Sequence, residues 1–189
     1  VGGAADQRGV VASASYEARA RGVYVPMPLV RAYRVCPEAH FLPGRHEVYG
    51  RISRQVFDWV ERFSPCVERA SIDEGYLDLG PCGLRTEAEI VAAVHGLQER
   101  LWRELQLPVS MGIARNRLVA QIASKLRKPR GFVTVSVGDE AAFLAPLAVG
   151  KLPGVGAKTE AALQRRGIVR VGDILARNET ELEAIFGRD

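Results

Sequence analysis

Ser71-Ile72-Asp73-Glu74-Gly75-Tyr76-Leu77-Asp78-Leu79 places two adjacent carboxylates between two strand-like runs, residues 67–72 and 76–79. The second run alternates Tyr76 and Asp78 against Leu77 and Leu79, the pattern of a half-buried strand. Neighbouring side chains of a straight strand point to opposite faces, but at a bend both can converge on one point. Gly75 permits the close backbone approach that a bend needs. Ile72, Tyr76 and Leu77 make the surroundings partly apolar. Two unpaired carboxylates there would repel, whereas a divalent ion such as magnesium compensates them. An ordinary acidic turn is the competing reading, and the sequence on either side decides between the two.

Upstream, Val48, Ile52, Val56, Trp59, Val60 and Phe63 recur at helical spacing, which predicts an amphipathic helix over 46–63, stopped by Pro65. Downstream, Thr86 and Glu89 form a capping box. It opens a helix with Ile90, Val94, Leu97, Leu101 and Leu105 inward, ended by Pro108. Residues 109–113 read as a strand. Asn116 then caps a helix with Leu118, Val119, Ile122 and Leu126 on its core side, and 132–135 reads as another strand. Strands alternating with helices from 46 to 135 predict a sheet with helices packed on it, an α/β (α+β) fold. Nearer the start, 10–14 reads as a short strand and Pro28 opens a short helix through Val35. After Gly138 the texture changes to short helical pieces. Lys151-Leu-Pro-Gly-Val-Gly-Ala157 makes a hairpin before a helix at 158–166, and Asn178 with Glu181 opens another.

At 189 residues, 47% apolar and 25% charged, the chain is ordinary globular protein. No apolar run approaches a membrane span, and the start lacks the pattern of a secretion signal. Cys36, Cys66 and Cys82 are far apart and odd in number, which fits free thiols in a reducing cytoplasm. Net charge is +4, yet from 110 to 131 six basic residues (Arg115, Arg117, Lys125, Arg127, Lys128, Arg130) stand with no acid. Such a one-sign block points to a phosphate-bearing partner. Val1 is no initiator and the chain stops at Asp189 just after an apolar helical pattern, so an internal fragment of a longer protein is expected.

Four blocks carry a resemblance to a known family. The acidic stretch resembles the palm signature S-[IL]-D-E-A-[YF]-x-D of Y-family translesion DNA polymerases, with Gly75 in place of its alanine. Ala12-Ser-Ala-Ser-Tyr-Glu-Ala-Arg19 resembles the family's fingers motif. Residues 112–131, ending Lys128-Pro-Arg-Gly131, are similar to its palm helix, and Pro153-Gly-Val-Gly156 to its thumb hairpin. Within the family, the DNA polymerase IV branch of bacteria is the most similar.

The resemblance implies fingers at 1–45, a palm of helices on a mixed sheet at 46–135, and a helical thumb with a helix-hairpin-helix at 136–189. It implies low-fidelity, template-directed addition of deoxynucleotides to a primer end by two-metal phosphoryl transfer, with Asp73 and Glu74 as catalytic ligands of two magnesium ions. Ser13, Tyr16 and Arg19, with Lys128, would contact the incoming triphosphate; Tyr16 and Arg19 lie one helical turn apart. Small Gly9, Val10 and Ala12 would roof the nascent base pair. Tyr24-Val25-Pro26 departs from the branch's usual Arg-Ser-Ala, so lesion preference does not carry over. Gly154, Gly156 and Lys158 would meet a DNA phosphate. Arg115 and Arg117 meet either nucleic acid or solvent. Asp78 stands either near the metals or in a structural role. The family's first acidic strand would precede Val1. A little finger and a sliding-clamp contact would follow Asp189. The implied protein is a monomer of the bacterial cytoplasm acting on primer-template DNA and dNTP, with no membrane role. A catalytically inactive, polymerase-like DNA-binding or scaffold subunit is the alternative, which the intact set of Asp73, Glu74, Tyr16, Arg19 and Lys128 disfavours.

Overall fold

The computed structural model describes residues 1–4 and 8–186; 187–189, at the end of the chain, lie outside the described residues. Two compact units, Val1–Arg54 and Gln55–Asp189, make up the chain.

In the first unit, α1 (Tyr16–Ala20) is a single turn whose N-cap Ser15 accepts a hydrogen bond from Ala18 N–H at 3.2 Å. The next helix, α2 (Leu29–Val35), follows Pro28 as predicted. Val11, Val23, Met27, Leu29, Ala32 and Cys36 form the core between them. The strand expected at 10–14 does not form. Val10 makes one antiparallel bridge, to Pro28, and proline has no N–H with which to extend a ladder. Burial, with the Glu38 carboxylate beside it, pushes the Cys36 thiol up, away from a reactive thiolate.

The long helix α3 (His46–Phe63) has the predicted limits. In the second unit β1 (Cys66–Arg69) and β2 (Gly75–Asp78) pair antiparallel, with Val67 opposite Leu77 and Glu68 opposite Tyr76. Then come α4 (Glu87–Leu105), β3 (Met111–Ile113), α5 (Arg117–Leu126) and β4 (Phe132–Thr134). The last two strands pair parallel, Met111 opposite Phe132. Helices thus lie on strands as expected, with the strands arranged as one antiparallel and one parallel pair.

The capping box of α4 is complete: Thr86 accepts from Glu89 N–H at 3.2 Å and Glu89 from Thr86 N–H at 3.3 Å. Val60, Leu97 and Leu101 are buried, with Val67, Leu77 and Met111 of the strands packed on them. Burying a leucine such as Leu101 contributes about 2 kcal/mol. On α5 the buried residues are Val119, Ile122 and Ala123, while Leu118, expected inside, is 47% exposed. The inward face of α5 is set by its close seat on β3, where a Cβ at Gly112 would lie 2.6 Å from Ser124 N and overlap Ala120 O.

Buried Ser64 ties α3 to the hairpin, donating to Asp78 O at 2.6 Å and accepting from Cys66 N–H at 3.1 Å. Asp78 accepts from Gly80 N–H at 2.9 Å, which favours the structural reading of this residue. Phe57, outside the predicted apolar stripe, is buried beneath Gly75. A Cβ at Gly75 would sit 2.7 Å from Phe57 Cε1, with Arg69 stacked 4.7 Å over the same ring. Gly75 thus makes room for the ring rather than for a bend. Gly75→Ala will shift that ring and destabilise the chain by about 1 kcal/mol. Thermal melts of the two proteins check this.

Beyond β4, α6 (Glu140–Leu144) packs on α5 through Phe143 and Leu144. A 3₁₀ turn at Val149–Lys151 leads through the glycine hairpin into α7 (Ala157–Gln164), followed by α8 (Gly172–Leu175) and α9 (Glu179–Phe186). Val149, Leu163 and Ile168 form their shared core. Asn178 and Glu181 cap α9 reciprocally at 2.9 and 3.1 Å, as the sequence predicts. Backbone N–H groups of Arg170 and Val169 hold the Asp173 carboxyl below its ordinary range. Among the described residues no helix is long and apolar enough to cross a membrane.

Candidate active site

The five residues between β1 and β2 form a turn built by Ser71. Its hydroxyl donates to Asp73 Oδ1 at 2.7 Å and accepts from the N–H groups of Asp73 (3.2 Å) and Glu74 (3.0 Å). Backbone N–H groups of Ala70 and Ser71 both reach Glu74 O at 3.0 Å and close it. One donated and two accepted bonds match what a serine hydroxyl can make. The side chain that precedes the acids in sequence therefore fixes their backbone. Glu74 Oε1 lies 3.1 Å from Lys125 Nζ in the last turn of α5. Two turns earlier on α5, Arg117 Nη2 bonds Glu68 Oε1 at 2.7 Å, its guanidinium 4.3 Å from the centroid of the Tyr76 ring. So α5 holds the acidic hairpin by two cations, one at each end.

This changes the reading of the basic block at 110–131. Arg117, Lys125 and Arg130 pair with Glu68, Glu74 and Glu99, acids far away in sequence. Arg115, Arg127 and Lys128 are exposed and make no ion pair among the described residues. Arg117 is paired with the hairpin through Glu68.

Lys128 stands in a turn gripped from α4. Arg130, at a left-handed φ of 54°, bonds Glu99 Oε1 at 2.6 Å and stacks 4.9 Å over Trp102. Buried Gln98 donates to Val109 O at 2.8 Å and to Gly131 O at 3.1 Å. The Gln98 amide takes the Val109 carbonyl that a strand partner would have used, and the strand predicted from 109 begins at Met111. Sequence reasoning missed Gln98 and Glu99, and it named Lys125 only within the basic block, not as the partner of Glu74; a mid-helix side chain carries no local signal of its distant partner.

The first unit holds Ser13, Tyr16 and Arg19. Tyr16, 53% exposed, opens α1, and Arg19 folds back to donate to Ala14 O at 3.1 Å. Ser13 O accepts from the Val1 amine at 2.7 Å. Val10 and Ala12 are exposed beside them. A cleft of about 600 Å³ in this unit takes Ser13 but neither Tyr16 nor Arg19, and its apolar wall includes Leu29 and Cys36. In the hairpin before α7, Gly154 has a left-handed φ of 86° that excludes most side chains. Gly156 has no such φ, and a Cβ there would meet nothing within 4 Å. The exposed ammonium of Lys158 lies two residues on.

An acid-bearing hairpin and a parallel strand pair packed by helices, then a glycine hairpin between helical pieces, define a polymerase palm followed by a helix-hairpin-helix. Solved structures agree. DinB from Sulfolobus solfataricus superposes with a TM-score of 0.88 at 32% identity, over 96% of this chain and 53% of that one. The insertion ternary complex of Dbh DNA polymerase gives 0.87 at 30%, over 100% and 55%. Residues 1–125 match the impB/mucB/samB family, residues 137–168 match the IMS family HHH motif, and the chain belongs to this family. Among curated relatives, the DNA polymerase IV of Opitutus terrae is 62% identical over 182 residues, 96% of this chain and 46% of the relative. That of Dehalococcoides mccartyi is 38% identical over 188 residues, 99% and 48%. The chain thus spans about half the length of the curated relatives it matches.

Proposed function

We propose that residues 1–189 belong to a low-fidelity, template-directed DNA polymerase that extends a primer across damaged template. The observation that carries this reading is the Ser71-built turn presenting Asp73 and Glu74 side by side in a palm fold. Curated relatives named DNA polymerase IV support it. In this reading 1–45 act as fingers, 46–135 as palm and 136–189 as thumb.

Asp73 and Glu74 fit magnesium. Both offer hard carboxylate oxygens on an accessible turn, and among the described residues Asp73 Oδ2 and Glu74 Oε2 have no hydrogen-bond or ion-pair partner. Magnesium suits such a set because it keeps several waters and binds through one or two carboxylates plus substrate phosphates. Two bound ions would supply charge neutralisation at the attacking and leaving oxygens. Among the described residues no group of three or more His, Cys, Asp or Glu side chains could hold a metal.

The chain's other residues orient the substrates. Lys128, which makes no ion pair among the described residues, meets a triphosphate oxygen as a point charge. Tyr16, Arg19 and Ser13 hold the triphosphate from the fingers, and Val10 and Ala12 leave space over the base pair. Gly154 and Gly156 bring backbone N–H groups to a DNA phosphate, since the open Cβ position at Gly156 leaves room for close approach. Lys158 and Arg115 add sequence-independent, salt-sensitive attraction. The protein works as a cytoplasmic monomer, with a sliding clamp as partner through another region. The full-length parent, given primer-template with an abasic site, magnesium and dNTPs, will extend the primer past the lesion. DNA binding without any extension on damaged or intact template would favour the scaffold reading instead.

A further inference from the structure

The assignment of Glu74 as a metal ligand leaves its contact with Lys125 unexplained. Lys125 Nζ lies 3.1 Å from Glu74 Oε1, on the carboxylate that the metal reading needs free. Both side chains are more than 40% exposed, but the backbone that carries the lysine is fixed. The backbone of α5 is pressed on β3 at Gly112, where a Cβ would stand 2.6 Å from Ser124 N, so the residue before Lys125 is fixed. At its other end α5 is tied to the same hairpin by Arg117, through Glu68 and the Tyr76 ring. Only the four-carbon stem of Lys125 is left to move, and its side chain is 46% exposed.

We infer that Lys125 is a built-in counter-ion of Glu74 that competes with the divalent metal and so sets the metal concentration at which the site fills. The inference rests on Glu74 being a ligand and adds a regulating residue to that site. An ammonium within ion-pair distance of a carboxylate stabilises it without metal and repels an incoming dication. A lysine suits the role because its flexible stem lets the charge withdraw when the metal arrives, whereas a bidentate arginine fork resists displacement. Asp73 has no such cation among the described residues; its fixed partner is the neutral Ser71 hydroxyl. The two carboxylates are thus unequal, with Asp73 held by a neutral donor and Glu74 by a removable charge.

Manganese(II) binding to the full-length parent tests this, read from the loss of the free-ion electron paramagnetic resonance signal at fixed pH and ionic strength. Lys125→Met, which keeps the stem and removes the charge, will tighten binding about three- to tenfold. Lys125→Arg, which keeps the charge, will bind no tighter than the unsubstituted protein. Glu74→Gln will weaken binding in every background. Unchanged or weaker binding in Lys125→Met, with Glu74→Gln still weakening it, overturns the role of Lys125 alone. If Glu74→Gln leaves binding untouched, the metal reading of Glu74 falls and the inference with it.

Discussion

Asp73→Asn or Glu74→Gln in the full-length parent will lower primer extension by about a thousandfold or more, while primer-template affinity stays within about twofold. A thousandfold loss is about 4 kcal/mol of transition-state stabilisation. Each amide keeps the volume and shape of its acid and removes only the charge. In Asp73→Asn the amide oxygen can still accept from Ser71 Oγ, so the turn that carries the acids persists. Glu74→Gln loses the ion pair with Lys125, but both partners are more than 40% exposed, and such pairs contribute at most about 1 kcal/mol. Folding is therefore spared, and a fall in extension reports the lost charge. Single-turnover extension, alongside DNA binding by anisotropy and a thermal melt, separates the effects. Extension within about tenfold of the parent by both variants would remove Asp73 and Glu74 from the chemistry.

Features written in neighbouring residues were legible in the sequence. The capping boxes of Thr86 with Glu89 and of Asn178 with Glu181 need only a three-residue spacing, and both form. The limits of α3 follow from apolar periodicity ended by a proline. Ser71 bonds the backbone two and three residues on, a contact between neighbours in sequence. What failed depended on partners far along the chain. Leu118 satisfies the helical pattern but faces solvent, because the close seat of α5 on Gly112 turns Ala123 inward. Of the six basic residues at 110–131, Arg117, Lys125 and Arg130 are paired by Glu68, Glu74 and Glu99, which lie elsewhere in the sequence. Gly75 reads as a bend glycine, yet its reason lies in Phe57, upstream on another element. For the candidate site, the acids and their immediate turn were readable; the lysine that holds one of them was not.

Gly112→Ala will destabilise the chain strongly, by about 3 kcal/mol. The added methyl would overlap Ala120 O and stand 2.6 Å from Ser124 N and 3.0 Å from Ala123 Cβ. Two of those three neighbours are backbone atoms inside α5, so no rotamer change relieves the overlap. At Gly75 the neighbour is an aromatic ring, which can turn aside; at Gly112 the helix itself must move off β3. That movement separates Val119 and Ala123 from Val133 and Val135, which share their core. It also withdraws Arg117 and Lys125 from Glu68 and Glu74, since both cations ride on the same helix. For a chain of this length the cost corresponds to a fall in melting temperature of about 6–12 °C. The structure therefore predicts a second consequence that a generic core defect would not give. In folded molecules of the variant, with α5 displaced from β3, Glu74 is freed from Lys125, and manganese(II) binding tightens in the direction expected for Lys125→Met. A melting temperature within about 2 °C of the parent would show that α5 does not sit on Gly112 as described.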